Sequence, residues 1–335
     1  MVLSCPLAEP RRSAFTLVEL MVAMTVFIMI LLVILAITQA TGTAWKGARS
    51  KVDAFQSARL AFESINRTLG QATLNTYYDY FDSTGAQRTT NNSSTFVPAT
   101  YGRQSELHFV SGKTNVPGQV THSVFFQTPS GYANDIQYQT MGTLLNACGF
   151  YIVHTNDIFR PAFLSSLPNA PANETRFRLM QFLQPSEQMT VYSAAGSGWF
   201  TSALSSNSAP IEQLAPNIIA LVLLPRKSTG DAAQPASSLI STNYEYDSRA
   251  GSGPTQAATQ NQLPPLVEVV LVAIDERSAR RIEDEHLQIP SAPFSQDAQK
   301  LDDDLGTLET FLNQNRLVYR VFRTTVPLHN SKWSS

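Results

Sequence analysis

Residues 11–40 read RRSAFTLVELMVAMTVFIMILLVILAITQA, a run that is apolar from Phe15 to Ile37 apart from one carboxylate, Glu19. As a helix, residues 15–37 extend about 34 Å, enough to cross a hydrocarbon core of about 30 Å. The run is therefore a membrane span by length. A secretory signal peptide is the competing reading, with Arg11 and Arg12 as its basic region and Thr38-Gln39-Ala40 as a cleavage site. Its apolar region, however, should be only about 7–15 residues long. Glu19 needs a reason, because a carboxylate inside a bilayer costs about 2.5–3.5 kcal/mol on insertion scales and such acids tend to have a partner and a role. Positive charge does not fix the orientation: Arg11 and Arg12 flank one side, and Lys46, Arg49 and Lys51 the other.

Beyond Ile37 the helical pattern continues without a proline. Trp45, Ala48, Val52, Phe55, Ala58, Phe62, Ile65, Leu69 and Ala72 recur every three or four residues, which draws one apolar face of an amphipathic helix. From Phe15 to Ala72 such a rod measures about 87 Å. Gly42 and Gly47 are its weak points, each costing about 1 kcal/mol relative to alanine, and they predict a bend there.

The aromatic cluster Tyr77, Tyr78, Tyr80 and Phe81 ends this helix and reads either as packing where helix meets sheet or as a ligand platform. Short runs rich in β-branched and aromatic residues follow: SELHFVSG (105–112), THSVFFQT (121–128), GFYIVHT (149–155), TRFRLMQFLQ (175–184), QMTVYS (188–193), NIIALVLLP (217–225), LVEVVLVAID (266–275) and NRLVYRVFRTTVPL (315–328). They predict a mainly antiparallel β-sheet head, so the fold class is α+β, with a long N-terminal helix packed on that sheet. Residues 82–98 and 226–262 read as long irregular segments, expected to be mobile or to bind something.

The chain has 335 residues, 43% of them hydrophobic, with a formal charge of −2; it can bury a real core and has no nucleic-acid binder's basicity. Its cysteines are Cys5 and Cys148, so loss of the first fourteen residues would leave one thiol and no internal disulfide. There is no GxSxG, HExxH, phosphate loop or CxxC, and His108, His122, His154, His286 and His329 show no ligand spacing; they read as ordinary sheet or loop histidines. In KLDDDLGTLE, Asp302, Asp303, Asp304 and Glu309 read in two ways, as acids complementing the start of a following helix or as hard ligands for calcium. DERSARRIEDEH alternates charge and predicts a solvated helix or turn.

SAFTLVELMVAMTVF resembles the processing and methylation site of type IV prepilins and type II secretion pseudopilins, in which a basic leader precedes Phe-Thr-Leu-x-Glu-Leu. The resemblance implies a leader over residues 1–14, cleavage between Ala14 and Phe15 by a prepilin peptidase, and N-methylation of Phe15. It also implies a transmembrane helix over 15–37, its amphipathic continuation over 38–75 and a pilin-like β-rich head over 76–335. Glycine is usual before the cut, so Ala14 implies slower cleavage. Glu19 becomes the assembly residue, pairing with the methylated amino terminus of a neighbouring subunit. AFQSARLAFESINRTLGQATLNTYYDY, ELHFVSG and YRVFRTTVPLHNSKW are similar to the Verru_Chthon cassette protein C family, and LAPNIIALVLLP and LPPLVEVVLVAIDE more loosely to J-type minor pseudopilins and W-type minor pilins. The implied protein is a non-enzymatic minor subunit of a pilus or pseudopilus. Its head, with a radius of gyration of about 18 Å, suits a tip better than a close-packed shaft. The implied partners are prepilin peptidase, other pilin subunits and the inner membrane, with the head in the periplasm or on a filament. No metal, cofactor, nucleic acid or small-molecule substrate is expected. The alternative is a permanently anchored single-span protein whose head binds a ligand or catalyses a reaction.

Overall fold

The computed structural model describes residues 16–167, 170, 172–206, 208–228, 238–251, 256–290, 294 and 296–333. The chain divides into two units, residues 1–50 and 51–335. Helix α1 is Leu17–Gly70, hydrogen-bonded without interruption past Gly42 and Gly47. The first unit is its N-terminal part, exposed on every side from Thr16 to Arg49.

The second unit adds strands β1 (Tyr77–Phe81), β2 (Thr100–Gln104), β3 (Val110–Gly112), β4 (Ser123–Pro129), β5 (Leu145–Thr155) and β6 (Arg176–Gln184). Helix α2 (Gly198–Leu204), β7 (Ile211–Pro216), β8 (Ile218–Arg226), β9 (Tyr246–Asp247), α3 (Gln256–Thr259) and β10 (Leu266–Ile274) follow. The chain closes with α4 (Glu276–Asp284), α5 (Leu301–Gln314) and β11 (Tyr319–Pro327). All strand pairs are antiparallel, in a six-stranded sheet β7-β6-β5-β4-β3-β9, a three-stranded sheet β11-β10-β8 and a ribbon β1-β2. The architecture is the expected α+β, pilin-like one.

Strands β8 and β10 are buried along their length as apolar runs, that of β10 broken by Glu268. The buried face of α1, Ala58, Ala61, Phe62, Ile65 and Leu69, meets the three-stranded sheet at β11, with Phe62 5.7 Å from the Phe322 ring. β8 also lies close to β4, β5 and β6. The outer edge of β8 is closed by a loop: Leu221 N donates to Thr121 Oγ1 (2.9 Å), His122 N to Leu221 O (3.0 Å) and Leu223 N to His122 Nδ1 (3.1 Å). Glu268, a carboxylate within the β10 run, is buried between Arg226 of β8 (2.7 Å) and Arg323 of β11 (2.5 Å), which supply the partners that burial of a charge requires.

Four expectations need correction. QMTVYS is not a strand: β6 stops before Pro185, which cannot donate to a ladder, and residues 191–193 form a turn. β5 does not begin at Gly149 but runs through it, because the glycine lies beneath the ring of Phe125, its ladder partner. The Tyr77–Phe81 cluster does not fill the junction of helix and sheet; it forms the exposed ribbon strand β1. The stretch 226–262 is not irregular throughout, since it contributes β9 and buries Ile240, Tyr244 and Tyr246.

Candidate assembly site

Helix α1 opens with a capping box. Glu19 N donates to Thr16 Oγ1 (3.3 Å), while Thr16 N (2.9 Å) and Thr16 Oγ1 (3.0 Å) both donate to Glu19 Oε2. The Thr-x-x-Glu spacing of TLVE satisfies donors left orphaned at a helix start and sets a carboxylate at the positive end of the helix dipole. The acid in the apolar run thus has a partner within its own chain. Glu19 Oε1 has no hydrogen-bond partner among the described residues, so the carboxylate keeps one oxygen able to accept from a second group.

The other polar groups of the run are satisfied internally. Thr25 Oγ1 donates to Val22 O (2.8 Å), Thr38 Oγ1 to Ile34 O (2.8 Å) and Thr41 Oγ1 to Ile37 O (2.8 Å). A hydrocarbon environment demands this, because no water is present there to serve them. Among the described residues α1 is the one helix long and apolar enough to cross a membrane, and its apolar window is wholly unburied within the chain. Ala14 and Phe15, the expected cleavage and methylation positions, lie outside the described residues, as does the leader.

In the head, the carboxylates of KLDDDLGTLE diverge. Asp302, Asp303 and Asp304 sit in the first turn of α5, where they complement its dipole. Asp302 Oδ1 accepts from Arg323 (2.6 Å) and Asp304 Oδ2 from the Tyr244 hydroxyl (3.3 Å). No group of three metal-ligating side chains occurs among the described residues. DERSARRIEDEH forms α4, capped by Asp275, whose side chain accepts from Ser278 N (2.8 Å).

Two histidines join distant parts of the fold, and sequence spacing gave no sign of either. Trp199 Nε1 donates to His108 Nδ1 (3.1 Å), which assigns the ring proton to Nε2 and makes it the donor to Asp247 Oδ1 (2.9 Å). Burial alone would raise the Asp247 carboxyl, but hydrogen bonds from His108 and from the amides of Arg249 and Ala250 hold it below its ordinary range. This resembles the base and orienting acid of a hydrolase, yet both ring nitrogens are used and His108 is fully buried, so it has no lone pair to offer a nucleophile. His122 accepts from Leu223 N and donates through Nε2 to Phe294 O (2.6 Å); burial pushes its pKa down to about 4. Burial pushes the Cys148 thiol up to about 12, so it is not a ready nucleophile.

A third buried group, Arg176 of β6, is ringed by Glu174, Glu276 (3.2 Å) and Glu283, which ties α4 to the six-stranded sheet.

Residues 10–37 match the family model for the prokaryotic N-terminal methylation motif. No curated protein matches the chain. The motif and the apolar helix support a type IV pilin-like precursor, processed by a prepilin peptidase and consistent with anchoring in the inner membrane; such a motif points to a structural subunit rather than an enzyme.

Proposed function

We propose that the protein is a minor, tip-located subunit of a type IV pilus or type II secretion pseudopilus, with the affinity to Verru_Chthon cassette protein C noted above. It is cut between Ala14 and Phe15, methylated at Phe15, and assembled with other pilin subunits through α1 while the head faces the periplasm or the filament surface. Glu19 receives the amino terminus of an adjacent subunit on Oε1 while Oε2 caps its own helix. The observation that carries the reading is that the methylation motif of residues 10–37 runs into the apolar start of the helix Leu17–Gly70, unburied within the chain, where Glu19 Oε1 has no hydrogen-bond partner among the described residues. An unpaired apolar surface of that size needs lipid or other helices around it.

The capping box makes the test sharper. Glu19→Gln keeps an acceptor for Thr16 but loses the charge; Thr16→Ala keeps the charge but loses the cap, at about 1 kcal/mol. With processing confirmed, incorporation into sheared filaments should fail for Glu19→Gln and Glu19→Ala and persist for Thr16→Ala. The opposite ordering would show that the acid serves only its own helix.

A further inference from the structure

Beside the β1-β2 ribbon lie two adjoining cavities of about 490 and 330 Å³ that share Gln104, Gln260 and Asn261. Both volumes fall in the range of about 300–1,000 Å³ usual for ligand sites. The first cavity is lined by Tyr78 and Tyr101, more than half exposed, with ring centroids 5.3 Å apart in a stacked pair; Tyr192, also more than half exposed, lines the second. The hydroxyls of these three tyrosines have no hydrogen-bond partner among the described residues. Tyr80 extends the aromatic row, 5.0 Å from Tyr101.

The floor is held rigid. The Arg249 guanidinium donates to four carbonyls, those of Ala194 (3.2 Å), Gly196 (2.9 Å), Glu106 (2.6 Å) and Val191 (2.8 Å). Asn261, in the left-handed region at φ 57°, fastens the edge of β2 by donating to Arg103 O (2.8 Å). The charges of the groove are likewise engaged: Glu106 accepts from the Tyr77 hydroxyl (2.7 Å) and from Asn75, and Arg103 donates to Ala258 O (3.2 Å). What the groove offers a ligand is flat aromatic faces, phenol hydroxyls and the Gln260 amide, while Arg249 and Arg103 donate to backbone carbonyls and form no cationic stripe of the kind a polyanion needs.

We propose that this groove binds an uncharged oligosaccharide. The apolar C–H face of a pyranose ring lies on Tyr78 and Tyr101, and its hydroxyls exchange hydrogen bonds with the phenols and with Gln260. Such rings match both surfaces, one apolar and one polar, that exposed tyrosines present. With both arginines tied to backbone carbonyls, the exposed tyrosines rather than charge would make the contacts, which favours a neutral ligand over nucleic acid. Aromatic residues with few rotors also bind at low entropic cost, and the fastened floor adds preorganisation. This function stands apart from assembly, since none of these residues belongs to α1.

The test uses the full chain in a detergent without a sugar headgroup and calorimetric titration with cellohexaose, chitohexaose and maltohexaose. Binding of at least one is expected, unchanged between low and high salt. Tyr101→Ala and Tyr78→Ala should weaken it about tenfold or more, Tyr101→Phe less than threefold, and the exposed Tyr138→Ala not at all. Melting temperatures of the variants should match the parent, because these rings are exposed. No binding by any of the three sugars, equal binding by Tyr101→Ala, or a Tyr101-dependent self-association in place of sugar binding would overturn the proposal; the last result would assign the ribbon to a protein contact.

Discussion

His122 should make the fold acid-sensitive well above the range where carboxylates titrate. In the native chain its Nδ1 accepts from Leu223 N and its Nε2 donates to Phe294 O, so a second proton has no place without breaking the link to β8. Its native pKa of about 4 stands against an unfolded value of 6.5. The unfolded chain therefore binds the proton first, and stability falls as pH drops below about 6.5. With one pKa unit worth about 1.4 kcal/mol, the loss between pH 8 and pH 5 is about 2 kcal/mol, and it levels off at about 3 kcal/mol below pH 4. His154, also lowered by burial, adds to the loss in the same direction. Denaturant melts of the full chain in detergent at pH 8, 6.5 and 5, beside His122→Gln, measure the difference. Glutamine can keep one hydrogen bond but does not titrate, so the variant is expected to be less stable at pH 8 and to lose about 2 kcal/mol less than the parent on going to pH 5. Parallel losses in both proteins would refute the assignment of this titration to His122.

Other substitutions probe the packing and the charge cluster. A Cβ at Gly149 would lie 2.2 Å from the Phe125 ring, which is pinned face to face on Phe200 at 4.0 Å, so Gly149→Ala should destabilise by about 1–3 kcal/mol in the same melts. Arg176→Gln leaves Glu174, Glu276 and Glu283 facing one another. The cost should be about 2–3 kcal/mol at pH 7, short of a fully buried pair because the glutamates are a third to nearly half exposed, and it should shrink near pH 4 as they take up protons.

The parts of this fold that could be read in the sequence are those where burial imposes a regular pattern. The apolar face of α1 from Phe55 to Leu69 shows the helical period, and β8 and β10 are buried along their length as apolar runs, that of β10 broken by Glu268. β2 escaped because TYGRQ is an exposed ribbon strand with no buried face to impress a pattern, and β9 because it has only two residues. QMTVYS carries strand-like side chains, but Pro185 and the turn after it prevent pairing. The histidines gave no signal, since the partners of His108 and His122 lie about a hundred residues or more away in the chain. The capping box is legible in TLVE, where Thr16 and Glu19 stand three residues apart.

The mature amino terminus decides the central claim. The protein should be purified from its native membrane and its N-terminal peptide read by sequencing and mass spectrometry. The expected product is a chain that starts at Phe15 with a methylated amine and lacks residues 1–14. A chain that retains Met1, or one cut after Ala40 as a secretory signal would be, contradicts it.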